Sequence, residues 1–90
     1  MNMALRVRVT GRVQGVWFRG WTREQAIALG ITGWVRNSAD GGVVAHVEGA
    51  EPIVEQMIER LRRGPPAATV EGVEVFAVER GDFRSFDVRR

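Results

Sequence analysis

Leu5-Arg6-Val7-Arg8-Val9-Thr10 runs directly into Gly11-Arg12-Val13-Gln14-Gly15-Val16-Trp17-Phe18-Arg19, and the join between the two stretches decides the fold. In the first stretch, over residues 5–10, apolar Leu5, Val7 and Val9 alternate with polar Arg6, Arg8 and Thr10, the period-two pattern of a strand with one buried face. From about Gly20 to Leu29 the pattern turns helical, with Trp21, Ala26 and Leu29 among its apolar positions and Gly30 placed to cap its end. Thr22 and Gln25 have capping-box spacing, which would start this helix slightly later. Between strand and helix, a glycine-punctuated turn exposes successive backbone N–H groups near a helix N-terminus, where the dipole favours negative charge. Arg19 closes the turn with five fixed N–H donors suited to oxyanions. The unit reads as a cradle for a phosphate or a carboxylate.

Further along, Ile31 to Arg36 reads as a second strand and Val43 to Glu48 as a third, joined through Asn37-Ser38-Ala39-Asp40-Gly41-Gly42, whose Asp-Gly is a strong hairpin signal. The second helix, residues 51–63, has Pro52 and Glu51 in its first turn and an apolar stripe of Val54, Met57, Ile58 and Leu61. Arg60, Arg62 and Arg63 crowd its end, and Gly64-Pro65-Pro66 stops it. A fourth strand is predicted over about 70–80 and a short fifth over about 85–89. Two helices must then cover the apolar side of one antiparallel-rich sheet. The class is α+β: a two-layer sandwich, ferredoxin-like βαββαβ, with a short extra C-terminal strand. In that topology the first and third strands are central neighbours, so the loop after strand one can lie near the end of strand two.

Ninety residues with 44% hydrophobic content fit a single domain spanning 1–90, read as a free-standing protein. No run is long enough to cross a bilayer, and the N-terminus lacks a secretory apolar core. Cysteine is absent, which excludes disulfides, thiolate nucleophiles and cysteine-ligated metals and makes the cytoplasm the default compartment. The basic residues are all arginine, thirteen against eleven acids, for a net charge of +2. That all-arginine set inflates the pI to about 10.9, so the chain is mildly basic and suits small anions as well as nucleic acid.

The cradle is not a common nucleotide loop. It lacks G-x-x-x-x-G-K-[ST], and three residues separate Gly11 from Gly15, which breaks G-x-G-x-x-G. The nonapeptide Gly11–Arg19 does resemble the first signature of the acylphosphatase family. Gly33-Trp34-Val35-Arg36-Asn37-Ser38-Ala39-Asp40-Gly41-Gly42-Val43 resembles the second, and Gly64-Pro65-Pro66-Ala67 and Phe86-Asp87-Val88 extend the likeness over nearly the whole chain. The resemblance implies the same sandwich and hydrolysis of the carboxyl–phosphate bond of small acyl phosphates. An acyl phosphate is a reactive mixed anhydride, so it needs its phosphoryl oxygens held while water attacks in line. The N–H groups of Gly15, Val16, Trp17, Phe18 and Arg19, with the Arg19 guanidinium, suit that holding. Asn37 alone would pass for a turn or bulge residue; the resemblance implies that its amide positions the attacking water.

The remaining candidates are weaker. His46 falls on the side of its strand opposite Val43, Ala45 and Val47, an expected place on the open sheet face, and one histidine without cysteine makes a protein-built zinc site improbable. Asp40 reads as a turn former and Gln14 as loop support. Ser38 and Ser85 lack a histidine–carboxylate partnership. Trp17 and Trp21, spaced i, i+4, flank the cradle with Phe18. Phe18 is assigned to the core and Trp17 to the pocket mouth, where it could influence which acyl group fits. Glu59 and Arg63 form an expected helix-surface pair. No cofactor, metal, membrane or nucleic-acid partner is expected, and the simplest state is a monomer. The alternative is a non-catalytic anion- or RNA-binding module using Arg6 and Arg8 on a basic open face, although the aromatic RNA-binding strand signature is missing.

Overall fold

The computed structural model describes residues 1–90. Its elements are β1 (Asn2–Arg12), α1 (Phe18–Leu29), β2 (Thr32–Asn37), β3 (Val43–Ala50), α2 (Glu51–Arg63), β4 (Thr69–Ala77) and β5 (Phe86–Arg89). The sheet order is β4-β1-β3-β2-β5. Every pairing is antiparallel except that of β5, which runs parallel to β2. This is the two-layer α+β sandwich read from the sequence, with the extra strand added at the β2 edge.

Alternation along the strands builds the core. Val7 and Val9 of β1, Val35 of β2, and Val43, Ala45 and Val47 of β3 are fully buried on one face. The helices cover that face with Phe18, Thr22 and Ala26 from α1 and with Val54, Met57, Ile58 and Leu61 from α2. The α2 stripe and its 51–63 limits match the expected ones because Pro52 and Gly64 punctuate the helix locally.

Boundaries set by distant partners differ from the expected ones. β1 extends to Asn2 and Arg12 because Ala50 of β3 and Thr69 of β4 offer ladder partners at its two ends. The capping box at Thr22 does not form. The helix begins four residues earlier, so Thr22 lies inside it and its hydroxyl donates to the Phe18 carbonyl at 2.8 Å, while Gln25 accepts from Arg60 of α2, also at 2.8 Å. Glu59 pairs with Arg62 at 3.7 Å rather than with Arg63.

The open sheet face is also corrected. β4 and β5 lie at opposite edges, so residues 78–85 must cross the sheet, and they do so over the side without helices. Glu48 on β3 pins the crossing by accepting the N–H groups of Gly81 and Asp82. His46 meets Glu48 through Nε2 at 2.5 Å and Arg6 through Nδ1 at 3.2 Å. Arginine only donates, so Nδ1 is the acceptor and the neutral ring carries its proton on Nε2, toward Glu48. Phe83 stands edge-on to His46, and Trp34 stacks on its other side. Arg6 and Arg89 each lie 4.9 Å from the Trp34 ring centre, a cation–π arrangement. His46 is thus 3% exposed. The basic face offered to RNA is occupied from within: Arg6 serves His46 and Trp34, and Arg8 pairs with Asp40.

Burial alone would raise the Glu48 carboxyl, but the Gly81 N–H, His46 and the Asp82 N–H outweigh it and hold the group below its ordinary value of 4.5. A carboxyl depressed in the folded state contributes stability above its unfolded pKa and loses it as pH falls through the folded one. Glu48→Gln is therefore expected to melt below wild type near neutral pH, with the gap narrowing as the pH drops below 4.5. Thermal denaturation of both proteins across that range checks it, and a gap independent of pH rules out the charged role.

Candidate functional site

The loop between β1 and α1 is shaped by two left-handed residues, Gly15 at φ 73° and Trp17 at φ 63°. A side chain at Gly15 would meet nothing within 4 Å, so glycine is needed there for its backbone conformation rather than for space. Val13 and Phe18 are each 1% exposed and Val16 packs against the core, so side chains anchor the loop from beneath. Phe18 also meets Trp21 edge-on at 5.6 Å. The N–H groups of Gly15, Val16 and Trp17 donate to no backbone carbonyl. Those of Phe18, Arg19 and Gly20 belong to the first turn of a helix, where N–H groups have no internal partner. With the positive end of the α1 dipole behind them, these donors form a concavity whose electrostatics suit an anion.

A cavity of about 280 Å³ opens over this loop, lined by Val13, Gly15, Trp17, Phe18, Arg19, Gly20, Asn37 and Val88. Arg19 and Asn37, eighteen positions apart (37 − 19), therefore border the same space. Of the five expected phosphate-binding residues, Val16 alone does not line it. Trp21 lies elsewhere, beside Gln25 of α1 and Arg60 and Arg63 of α2, so only Trp17 of the tryptophan pair borders the site.

Three side chains hold the site in shape. Gln14 donates both amide hydrogens across to the β2–β3 hairpin, to the carbonyls of Ser38 and Gly42, each at 2.8 Å. Asp40 accepts the Gly42 N–H at 3.0 Å, the turn-forming contact expected of it. Arg19 donates through Nη1 to the Arg89 carbonyl of β5 at 2.8 Å, which fixes one end of its guanidinium and leaves the other N–H groups for a ligand. The sequence points to Gln14 as loop support, but the parts played by Val88 and the Arg89 carbonyl have no local signal. A backbone carbonyl looks alike at every position, and β5 reaches the site only through its pairing with β2.

Nowhere do three His, Asp or Glu side chains gather as a metal-ligand cluster, and Ser38 supplies the site with a carbonyl rather than a nucleophile.

Comparison with known proteins agrees with this fold. The family described as Acylphosphatase matches residues 5–88. An acylphosphatase of Rhizobium etli is 63% identical over 73 residues, covering 81% of this chain and 78% of the relative. One from Mesorhizobium japonicum is 54% identical over 85 residues, covering 90% of each chain. The structure of an acylphosphatase from Coxiella burnetii superposes with a TM-score of 0.94 at 36% identity, over 98% of this chain and 93% of that one.

The Gln14 tie has a direct test. Gln14→Ala removes two hydrogen bonds and is expected to lower stability by about 1–3 kcal/mol in chemical denaturation. Gln14→Glu keeps the shape but, when ionised, turns an acceptor toward two carbonyls, so it is expected to be no more stable than the alanine variant. Wild-type stability in both variants refutes the tie.

Proposed function

Because this chain belongs to the acylphosphatase family, we propose that its cavity is the place where it hydrolyses the carboxyl–phosphate bond of acyl phosphates, with Arg19 and Asn37 in separate roles. The observation that carries the assignment is the meeting of Arg19, Asn37 and the free loop N–H groups around one space. The phosphoryl oxygens sit on the N–H groups of Gly15 to Arg19 and on the Arg19 guanidinium. Asn37 orients a water on the face opposite the acyl oxygen. The water oxygen forms its bond to phosphorus as the phosphorus–acyl oxygen bond breaks, and the electron pair leaves on the carboxylate.

Charge grows on oxygens already facing fixed donors, so little reorganisation is needed as the reaction proceeds. The leaving carboxylate is a weak base and departs without prior protonation. The proton lost by water passes to a phosphate oxygen or to the departing carboxylate, which spares the site a strong base. An amide can orient water but cannot deprotonate it, and that division of labour suits Asn37.

We read the protein as a single domain that works as a monomer in the cytoplasm without a metal or cofactor. The absence of cysteine suits a reducing compartment. Arg19 and the loop dipoles provide the positive charge that a phosphoryl group requires.

Benzoyl phosphate hydrolysis in the presence of a chelator tests the assignment, with inorganic phosphate as a competitive inhibitor to report anion binding. Arg19→Ala is expected to lose both turnover and phosphate affinity, with kcat down about a hundredfold to a thousandfold. Arg19→Lys should not restore it, because an ammonium lacks the planar fork. Asn37→Ala is expected to lose turnover on a similar scale while holding phosphate nearly as well as wild type. Equal losses of affinity and turnover in Asn37→Ala refute the water-positioning role.

A further inference from the structure

The cavity has two poles, and the second is not needed to hold phosphate. Trp17 and Phe76 are the large aromatic side chains left exposed, and of these only Trp17, at 61%, borders a cavity. Its indole adds nothing to the core, yet its backbone is held at φ 63°, a left-handed conformation that is unfavourable for a bulky residue. The helix is cut away beneath it. A Cβ on Gly20 would come 2.2 Å from the indole Nε1 and 2.7 Å from Cε2, so the ring lies directly against the glycine backbone. Backbone strain, exposure and a glycine seat together place a flat apolar wall at the cavity. Val88 of β5, 43% exposed, gives a second apolar surface there. Arg19 is the only charged side chain lining the space.

We propose that Trp17 is a specificity-determining residue, selecting acyl phosphates whose acyl group is aromatic or otherwise flat and apolar over those with a short acyl group such as acetyl. This rests on the acyl phosphate reading of the same cavity. With the phosphoryl group on the loop N–H groups and Arg19, the acyl end extends toward Trp17 and Val88. A planar group stacks on the indole there and both surfaces leave water. A short acyl group leaves the ring wet, and a charged one finds no partner.

The test compares kcat/KM for benzoyl phosphate and acetyl phosphate in wild type, Trp17→Gly and Trp17→Phe. Dividing each variant's benzoyl-to-acetyl ratio by that of wild type cancels the intrinsic reactivities of the two substrates. Glycine accepts the left-handed backbone without strain, so Trp17→Gly removes the ring and leaves the loop its conformation. Its ratio is expected to fall on the order of tenfold, while Trp17→Phe stays within about twofold of wild type. Gly20→Ala, whose methyl displaces the indole, should lower the same ratio. If wild type hydrolyses both substrates and the ratio is unchanged in all three variants, the inference is overturned while the acyl phosphate reading stands. If wild type hydrolyses neither, that reading falls and the inference falls with it.

Discussion

One register fixes the site. Val43 is the ladder partner of Val9 on β1 and of Asn37 on β2, so the ends of these two strands stand level across the central strand β3. The cradle loop leaves β1 just beyond that level, and Asn37 is the last residue of β2. Side-chain alternation enforces the alignment. Slipping β1 by one residue would turn Val7 and Val9 away from the helices and bring Arg6 and Arg8 into the core. Slipping it by two would keep the valines inside but shift the loop relative to Asn37 by about 7 Å, beyond the reach of a single substrate. The apolar pattern that folds the sheet therefore also sets the spacing on which the proposed chemistry depends.

Within the loop, side chains and backbone divide the work. Val13 and Phe18 sink into the core, which lets the N–H groups between them face outward as a fixed set. The two left-handed residues make that geometry possible, at little cost for Gly15 and at a cost of about 1–2 kcal/mol for Trp17. Gln14 then joins the loop to the hairpin bearing Asn37, and the Arg89 carbonyl steadies Arg19 from β5. Three elements far apart in sequence are thus held around a cavity that no one of them could form.

What the sequence disclosed was what local physics decides. The α2 stripe, the Asp-Gly hairpin and the turn between strand and helix each carry their signal within a dozen residues, and the motif resemblance added the role proposed for Asn37. What stayed hidden depends on partners. The full length of β1 comes from Ala50 and Thr69, which are remote in sequence. Trp34, His46 and Glu48 stand on the side of the sheet that alternation marks as solvent-facing. They are buried because the chain must pass from one sheet edge to the other between β4 and β5, a requirement visible only once the strand order is known. The expected basic face is likewise altered by distant partners, with Arg6 engaged by His46 and Trp34 and Arg8 by Asp40.

The chemistry explains why so small a scaffold suffices. Hydrolysing a stable ester would call for a nucleophile or a strong base, with buried groups to tune either one. An acyl phosphate already carries a good leaving group, so placement and fixed charge do most of what is required. A rigid loop, one arginine and one amide can provide both, and ninety residues can hold them. The same economy limits discrimination. Donors that grip a phosphoryl group grip every acyl phosphate alike, so any preference among substrates must come from what the other end of the molecule touches. Trp17 and Val88 line the same cavity as Arg19 and Asn37, so the proposed reading puts the choice of substrate on the apolar wall and the rate of reaction on Arg19 and Asn37.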